Sequence, residues 1–316
     1  MANSHSVQTP RIQPEGDDRE GGTTISSDEE ILTGGGRTAV AKVGDVVHRE
    51  TGPWAPSVHA LLRHLEAEGF DGGPRVIGSG FDATGRETLS FVHGVSLHPG
   101  PWPDEAMFNL GKMLADFHRA SARFLPPENA IWRDWFGRSL GTRQPIIGHC
   151  DLGDWNIIAR DHQPVGFIDW EQAGPVDPLV ELAQLCWLNA HLFDDDLELR
   201  IGLPPLAARA KKLRYIVDGY GLPHADRLDL VPTMITLAIA DAANEAHQAA
   251  LTPDSTGPVE ALWAMAWRAR SAAWMGRHRA ELERVLGLPP TQLPHRVIPA
   301  KAGIQVRGAP RHPDQG

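Results

Sequence analysis

The sequence predicts an α+β protein in which a small antiparallel sheet with one helix precedes a larger, mainly helical region. Short alternating segments joined by glycine turns occupy the chain up to about residue 97, and stretches with apolar residues at helical spacing fill residues 98–288. Inside the helical region, NIIARDHQPVGFID at 156–169 has two apolar runs around a polar turn and predicts a β-hairpin. We therefore expect two domains, 29–97 and 98–288.

The small region is expected to hold several strands and one amphipathic helix. The segment ILTGGGRTAVAKVGDVVHRE (31–50) predicts strands joined by glycine turns, and ETLSFVHG (87–94) predicts a further strand. Between them, apolar residues recur at i, i+3, i+4 and i+7, which predicts a helix from about Ser57 to Gly69. The apolar residues of this helix are Val58, Leu61, Leu62 and Leu65.

The larger region contains several helical patterns. One apolar stripe consists of Met107, Leu110, Leu114 and Phe117. Another helix is expected after Asp177, because Pro178 favours a first helical turn, and capping and helix-dipole contacts account for Asp177 and Glu181. Further helices are expected within 206–220, 230–251 and 259–286.

Composition restricts the kind of protein. The formal net charge of −10 argues against a general nucleic-acid binder, because neutralising phosphates requires clustered Lys and Arg. Two cysteines cannot form a disulfide framework, and no apolar run approaches the ~20 residues that span a bilayer. Without a basic start followed by an apolar run, the chain is expected to be cytoplasmic, with no membrane partner. The polar or Pro- and Gly-rich tails, 1–28 and 289–316, are expected to be disordered.

The stretch GHCDLGDWNII, residues 148–158, leads into the predicted hairpin and is the most informative part of the sequence. A hairpin holds its two ends side by side, so Asn156 is expected near Asp169, with Asp151 five positions before Asn156. Oxygen ligands of this kind suit Mg²⁺, which takes one or two carboxylates together with water and phosphate oxygens. Cys150 is an unpromising nucleophile or zinc ligand, because the sequence suggests neither an orienting group nor closely spaced ligands.

These residues resemble a known family. HCDLGDWN has the spacing of the kinase catalytic loop H-R-D-x-x-x-x-N, and FIDWE stands in the place of the downstream D-F-G. The span 148–183 resembles the aminoglycoside phosphotransferase and choline kinase-like family, which has a bilobal protein-kinase-like fold. The resemblance implies a nucleotide-binding N-lobe, 29–97, with a small antiparallel sheet and one helix, and a mainly helical C-lobe, 98–288, for catalysis and acceptor binding.

The resemblance also implies roles for individual residues. Asp151 would act as the base that takes a proton from the acceptor hydroxyl, and Asn156 and Asp169 would hold Mg²⁺ against the phosphates of ATP or GTP. His149 would be structural, packing under the catalytic loop. Asp154 is expected to shape the loop. The glycine turn of Gly34, Gly35 and Gly36 would lie over the phosphates.

A cation on the third strand is expected to contact the nucleotide phosphates. Arg49 is the favoured candidate, because His48 is mostly neutral at pH 7 and Lys42 follows the glycines too closely to lie on that strand. In the family the following helix supplies a Glu partner for this cation. Here Val58 and His59 occupy the early helix positions and the acid comes only at Glu66, which is a departure from the family pattern.

The sequence therefore supports two functions. The first is a kinase that moves the γ-phosphoryl group of ATP or GTP to a hydroxyl of a small molecule, such as an aminoglycoside-like antibiotic or an amino alcohol, with a role in antibiotic resistance. The second is a non-catalytic binding or toxin-immunity protein on a kinase-like scaffold, which the missing helix acid motivates. The acidic run FDDDLELR, with Asp194, Asp195, Asp196 and Glu198, is either a recruiting surface for a cationic acceptor or a solvated helix end. We expect a monomer or weak homodimer.

Overall fold

A computed structural model describes residues 29–32, 40–98, 102–197, 202–252, 254–255 and 259–288. The predicted glycine turn, Glu198 and both predicted disordered tails lie outside these ranges. The chain divides into two compact units, one of residues up to Glu50 together with Ile77–Phe91, and one of Thr51–Val76 together with the residues from Val92 on. The domain division 29–97 and 98–288 stays a prediction.

The first unit is built on a sheet. Its described strands are β1 (Glu30–Leu32), β2 (Val40–Val43), β3 (Val46–Arg49), β4 (Val76–Phe81) and β5 (Glu87–Ser90). They form a sheet in the order β1-β2-β3-β5-β4. The pairs β1/β2, β2/β3 and β3/β5 are antiparallel, and Arg49 on β3 lies opposite Glu87 on β5.

The second unit contains the helices, and the predicted α+β class is confirmed. The described helices are α1 (Ala55–Ala67), α2 (Asp104–Ser121), α3 (Pro178–Asn189), α4 (Leu206–Tyr220), α5 (Arg227–Gln248), α6 (Val259–Arg277) and α7 (Arg279–Val285). The stretch 259–286, predicted as one helix, is divided at His278, whose φ of −101° and ψ of 12° are not helical. None of the helices in the described ranges is long and apolar enough to cross a membrane.

The apolar stripes predicted on α1 and α2 form part of the core. All eight predicted residues of these stripes are buried, at 2% exposure or less. Helix α3 differs from both, because every residue from Leu179 to Asn189 is buried, including Glu181, Gln184 and Asn189. A helix surrounded by protein on all sides needs a partner for each polar side chain it carries.

Short strands of the second unit position the motif. The strands β6 (Val95–Ser96), β8 (Ile157–Arg160) and β9 (Gln163–Phe167) form one sheet, and β7 (Ile146–Gly148) pairs with β10 (Gly174–Val176). The predicted hairpin is confirmed, since β8 and β9 pair antiparallel with Ile157 opposite Phe167. The backbone N–H of Ile168 donates to the carbonyl of Asn156 at 2.9 Å, so Asp169 follows directly beside Asn156.

Candidate active site

The loop between β7 and β8 is held by side chains of helix α3. Glu181 Oε1 accepts hydrogen bonds from the backbone N–H groups of His149 at 2.5 Å and Cys150 at 2.7 Å. Gln184 accepts from the N–H of Leu152 at 3.0 Å and donates to the carbonyl of Cys150 at 3.2 Å. Buried backbone groups are costly when unpaired, so these two side chains fix the conformation of the loop.

The carboxylate of Glu181 has a second partner. Its Oε2 lies 2.7 Å from His118 Nε2, and His118 Nδ1 lies 2.9 Å from the Tyr220 hydroxyl. Burial raises the pKa of Glu181, but the hydrogen bond from His118 and those from the loop outweigh this effect, and the pKa is lowered. The dipole role predicted for Glu181 is therefore incomplete, because the side chain binds a loop 32 residues away. The signal in the sequence is an acid in a largely apolar helix.

Asp177 caps α3, as the sequence predicts, and also binds a second backbone segment. It caps α3 by accepting the N–H of Leu179 at 2.8 Å. Its other oxygen, Oδ2, accepts the backbone N–H groups of Thr142 at 3.0 Å and Arg143 at 2.9 Å. One buried carboxylate thus joins the start of α3 to the segment that leads into β7.

His149 lies under the loop and fixes it. Its Nε2 lies 2.9 Å from the carbonyl of Ile168, and the N–H of Asp151 donates to its Nδ1 at 3.3 Å. Because a carbonyl can only accept, Nε2 carries the proton and Nδ1 is the acceptor, which defines a neutral imidazole. The ring centroid lies 4.7 Å from that of Trp170. His149 therefore connects the loop with the end of the hairpin.

Cys150 occupies a backbone conformation that favours glycine. Its φ is 65°, and its side chain is fully buried. The thiol lies 3.7 Å from the carbonyl of Gly174 and 3.6 Å from Arg138 Nη1. Burial raises the pKa of the thiol, which disfavours the thiolate that a nucleophile requires. Conformation and burial both argue against a chemical role for this side chain.

The variant Cys150→Gly is expected to keep the activity of the protein within about threefold, because the backbone already has a left-handed conformation that glycine adopts without strain. Relief of that strain is offset by the lost packing of the thiol, so the melting temperature is expected to change by only a few degrees. The test is to measure turnover and thermal unfolding of Cys150→Gly and, for comparison, of Cys186→Ala, which changes the other buried cysteine. Loss of turnover in Cys150→Gly alone would assign the thiol a function.

Asp151, Asn156 and Asp169, the three residues predicted from the sequence, lie on the loop and at the two ends of the hairpin. Asn156 Nδ2 donates to Asp151 Oδ2 and to the Asp151 carbonyl, both at 2.9 Å. The amide nitrogen is thus engaged within the loop, and the side-chain oxygen of Asn156 is the atom that suits a cation. Asp169 has φ 63° and ψ 65°, a left-handed conformation that turns the chain sharply after β9.

The oxygen donors in this group fit Mg²⁺. Across the described ranges, no group of three or more His, Cys, Asp or Glu side chains is arranged to hold a metal ion by itself. Mg²⁺ does not need such a group, because it retains water and binds phosphate oxygens alongside one or two protein ligands. The Asn156 oxygen and the Asp169 carboxylate are the donors that the hairpin brings together.

Asp151 has an unusual protonation equilibrium. Burial, followed by the negative charge of Asp169, raises its pKa to about 7, while the hydrogen bond from Asn156 acts in the opposite direction. Asp241 on α5 adds to the increase and Trp155 reduces it. A carboxylate with a pKa near neutrality is suited to accept a proton during a reaction.

Asp154 is held between two histidines. Its Oδ1 lies 2.8 Å from His98 Nδ1, and its Oδ2 lies 3.3 Å from His191 Nε2. Burial raises its pKa, but the hydrogen bonds from His191 and His98 outweigh this and the pKa is lowered. Both oxygens are therefore engaged in holding the loop, which agrees with the shaping role that the sequence predicts.

Arg138 joins the loop to the segment that follows Asp169. Its guanidinium donates to the backbone carbonyls of Gln172 and Pro175, both at 3.1 Å. It also donates to the carbonyl of Arg133 at 2.5 Å and lies against the Cys150 thiol. No pattern in the sequence indicates this residue, because its partners, mostly backbone carbonyls, are brought together only by the folded chain.

The first unit supplies the candidate cations, and each of them has an acidic neighbour. Arg49 Nε donates to Glu87 Oε2 at 2.5 Å, and the Glu87 side chain is 1% exposed. His48 Nδ1 lies 3.0 Å from Asp82 Oδ2, and Lys42 Nζ lies 3.6 Å from a carboxylate oxygen of Glu30. The acid partner of Arg49 is thus Glu87 on the adjacent strand, whereas the family that the sequence resembles has this acid on the following helix.

Comparison with known proteins identifies similar sequences. A family model described as "Phosphotransferase enzyme family" matches residues 125–211. This stretch includes the loop, the hairpin and α3. A protein from Rhizobium leguminosarum bv. trifolii, named trifolitoxin immunity protein, is 56% identical over 260 residues, which are 82% of this chain and 99% of the relative.

Solved structures share the fold. The amicoumacin kinase hAmiN, in complex with AMP-PNP, Ca2+ and Ami, matches with a TM-score of 0.59 and 11% identity over 78% of this chain and 88% of that one. A microcompartment-associated aminopropanol kinase matches with a TM-score of 0.56 and 16% identity over 83% of this chain and 94% of that one. These similarities confirm the protein-kinase-like fold that the sequence predicts.

Proposed function

The chain belongs to the phosphotransferase enzyme family, and we propose that it transfers the γ-phosphoryl group of ATP or GTP to a hydroxyl of a small molecule in the cytoplasm. The proposal rests on the grouping of Asp151, Asn156 and Asp169 at the open end of the hairpin. Asp151 and Asn156 lie on the loop that Glu181 binds, and Asp169 follows β9. A protein that only binds a partner has no need of all three.

In this reaction Asp151 is the base. Asn156 holds its Oδ2, so Oδ1 is the atom placed to receive the proton of the acceptor hydroxyl. The acceptor oxygen forms a bond to the γ-phosphorus as the bond between this phosphorus and the β–γ bridging oxygen breaks, and the nucleoside diphosphate leaves. Most of the catalysis is positioning and charge neutralisation, because the transition state for phosphoryl transfer is loose.

The side-chain oxygens of Asn156 and Asp169 would hold Mg²⁺, which neutralises the charge of the phosphates when it is bound. On the nucleotide side, we propose that Arg49 contacts the phosphates, with Glu87 fixing the direction of its guanidinium. His48 lacks the permanent charge of an arginine, and Lys42 lies on β2 and not on the third strand, so both are less suitable for this role.

Thermal unfolding with nucleotide tests this assignment. Saturating ATP or GTP with Mg²⁺ is expected to raise the melting temperature by about 5–10 °C, since ligand at a hundred times Kd adds about 2.7 kcal/mol and each kcal/mol is worth roughly 2–4 °C. Asp169→Asn is expected to remove the part of this shift that depends on Mg²⁺. The matched control is Asp161→Asn, at the turn of the same hairpin. No shift in the wild type with either nucleotide would contradict the proposal.

A second function is favoured by one observation. The relative that is 56% identical over nearly its whole length is named trifolitoxin immunity protein. We therefore propose, as the alternative, that this chain protects a bacterium against a peptide toxin. Expression in a trifolitoxin-sensitive strain, followed by growth with the toxin, tests protection directly. Protection without any nucleotide turnover would favour a binding scaffold over a kinase.

A further inference from the structure

Trp155 is an exposed aromatic residue between two functional residues. It stands in the 3₁₀ turn Asp154–Asn156, between the base Asp151 and Asn156. Its side chain is 37% exposed, although Asp154 and Asn156 on either side are buried. An aromatic ring left open to solvent within an otherwise buried loop is a candidate contact surface for a ligand.

The indole of Trp155 has a defined position. It folds back over Gly153, where an added Cβ would collide with the carbons of the ring. The ring of His98 meets it edge-on with centroids 5.8 Å apart, and His98 is held by Asp154 at 2.8 Å. The indole is also near enough to Asp151 to influence its carboxyl group. The indole is thus held on the loop of the base, with the His98 ring against its edge.

Three aspartates of the acidic run FDDDLELR are paired with arginines. Asp194 pairs with Arg277 at 3.2 Å and Asp195 with Arg209 at 2.5 Å. Asp196 pairs with Arg270. Each of the three described aspartates of this run therefore has an arginine partner.

Two acids of α5 also have an arginine partner. Asp241, whose charge acts on Asp151, binds Arg268 Nε at 2.6 Å, and Glu245 lies 3.0 Å from the same guanidinium. One arginine thus balances part of the charge of both carboxylates. The exposed indole of Trp155 lies on the same loop as Asp151, whereas the carboxylates of Asp241 and Glu245 share a cationic partner.

We propose that Trp155 and His98 bind the acceptor, and that the acceptor carries an uncharged planar ring close to the hydroxyl that is phosphorylated. The ring stacks on the indole while the hydroxyl reaches Asp151. This inference rests on the proposed phosphotransferase function and names its substrate class as aromatic or heteroaromatic alcohols in preference to polyamines.

The matched probes are 2-phenylethanol and ethanolamine, which differ in bearing a phenyl ring or an ammonium group on the same two-carbon alcohol. Binding is measured by saturation-transfer NMR on the full chain with Mg²⁺ and ADP. The wild type is expected to bind 2-phenylethanol at least about tenfold more tightly than ethanolamine. Trp155→Ala is expected to remove this preference, and Trp155→Phe to restore most of it.

Gly153→Ala provides an independent variant. Its φ of −75° suits alanine, but the new methyl group must displace the indole, so the preference for the phenyl probe is expected to fall although Trp155 is intact. Phe108→Ala, an exposed aromatic on α2, is the control that should leave binding unchanged. Equal binding of both probes by the wild type, or an unchanged preference in both Trp155→Ala and Gly153→Ala, would overturn the inference.

The two proposals fail in different ways. Slow hydrolysis of nucleotide, with water as acceptor, is followed in each variant together with the Mg²⁺-dependent thermal shift. If hydrolysis and shift are both missing from the wild type, the phosphotransferase function fails, whereas the binding experiment still decides whether Trp155 selects planar ligands. If both are present and the phenyl preference is missing, only the inference about the acceptor fails.

Discussion

Asp151→Asn is expected to lower turnover by about a hundredfold to ten-thousandfold, the usual contribution of a general base, while nucleotide binding persists. Asparagine keeps the shape of the side chain and can still accept the hydrogen bond from Asn156, so the loop is expected to stay folded. Single-turnover kinetics separate the chemical step from binding. The Mg²⁺-dependent thermal shift reports nucleotide binding in the same variant.

The same variant is expected to be more stable than the wild type above neutral pH. Burial and the charge of Asp169 raise the pKa of Asp151 to about 7, far above the roughly 3.9 of an unfolded chain. When the pKa of a carboxyl group is higher in the folded state, the free energy of unfolding decreases as pH rises from the unfolded pKa to the folded pKa. Above the folded pKa the loss of stability is complete. Without nucleotide, the melting temperature of Asp151→Asn should exceed that of the wild type at about pH 8 and match it below about pH 4.

Toxin protection decides between the two proposed functions with the same variant. If protection depends on phosphoryl transfer, cells that express Asp151→Asn lose it, and cells that express Asp161→Asn keep it. Protection that survives Asp151→Asn at equal protein level would show that binding suffices. Turnover that survives this substitution would remove Asp151 from the role of base.

Local features of the site could be predicted because they depend on spacing within one short segment. The interval from Asp151 to Asn156 can be read directly from the sequence, and the hairpin is predicted from its two apolar runs. A hairpin places Asp169 beside Asn156 whatever the rest of the chain does. By contrast, the partners of the loop come from far along the chain. Glu181, which binds the loop, is 32 residues after His149, and its own partner His118 is 63 residues before Glu181. Contacts of this kind depend on how helices pack, which periodicity does not specify.

Charges were the least predictable feature. In the sequence, Asp194 to Asp196 are a block of like charge, but in the structure each forms a salt bridge with an arginine on α4 or α6. The family pattern has the acid partner of Arg49 on the following helix, whereas the strand register places Glu87 opposite Arg49. Pairing between distant side chains is a property of tertiary structure, so a run of acids in a sequence does not by itself identify an open cation site.

Glu181→Ala is expected to lower the free energy of unfolding by about 3–5 kcal/mol, because it leaves the buried N–H groups of His149 and Cys150 without their acceptor and removes the partner of His118. The melting temperature should fall by roughly 6–20 °C. Turnover should fall as well, because the loop that presents Asp151 loses its main attachment. Glu181→Gln retains an oxygen for the two N–H groups and should have a smaller effect.

Glu260→Ala is the matched control, because Glu260 is an exposed acid in the first turn of α6. If Glu181 acted only on its helix dipole, both alanine variants would cost about 0.3–1 kcal/mol. The pH dependence adds a second test. The pKa of Glu181 is lowered in the folded protein, so its ionic contribution is complete above the unfolded value of about 4.3 and is lost as pH falls further. Wild type and Glu181→Gln should therefore converge in stability only under acid conditions, and a constant difference at every pH would show that packing, not charge, holds the loop.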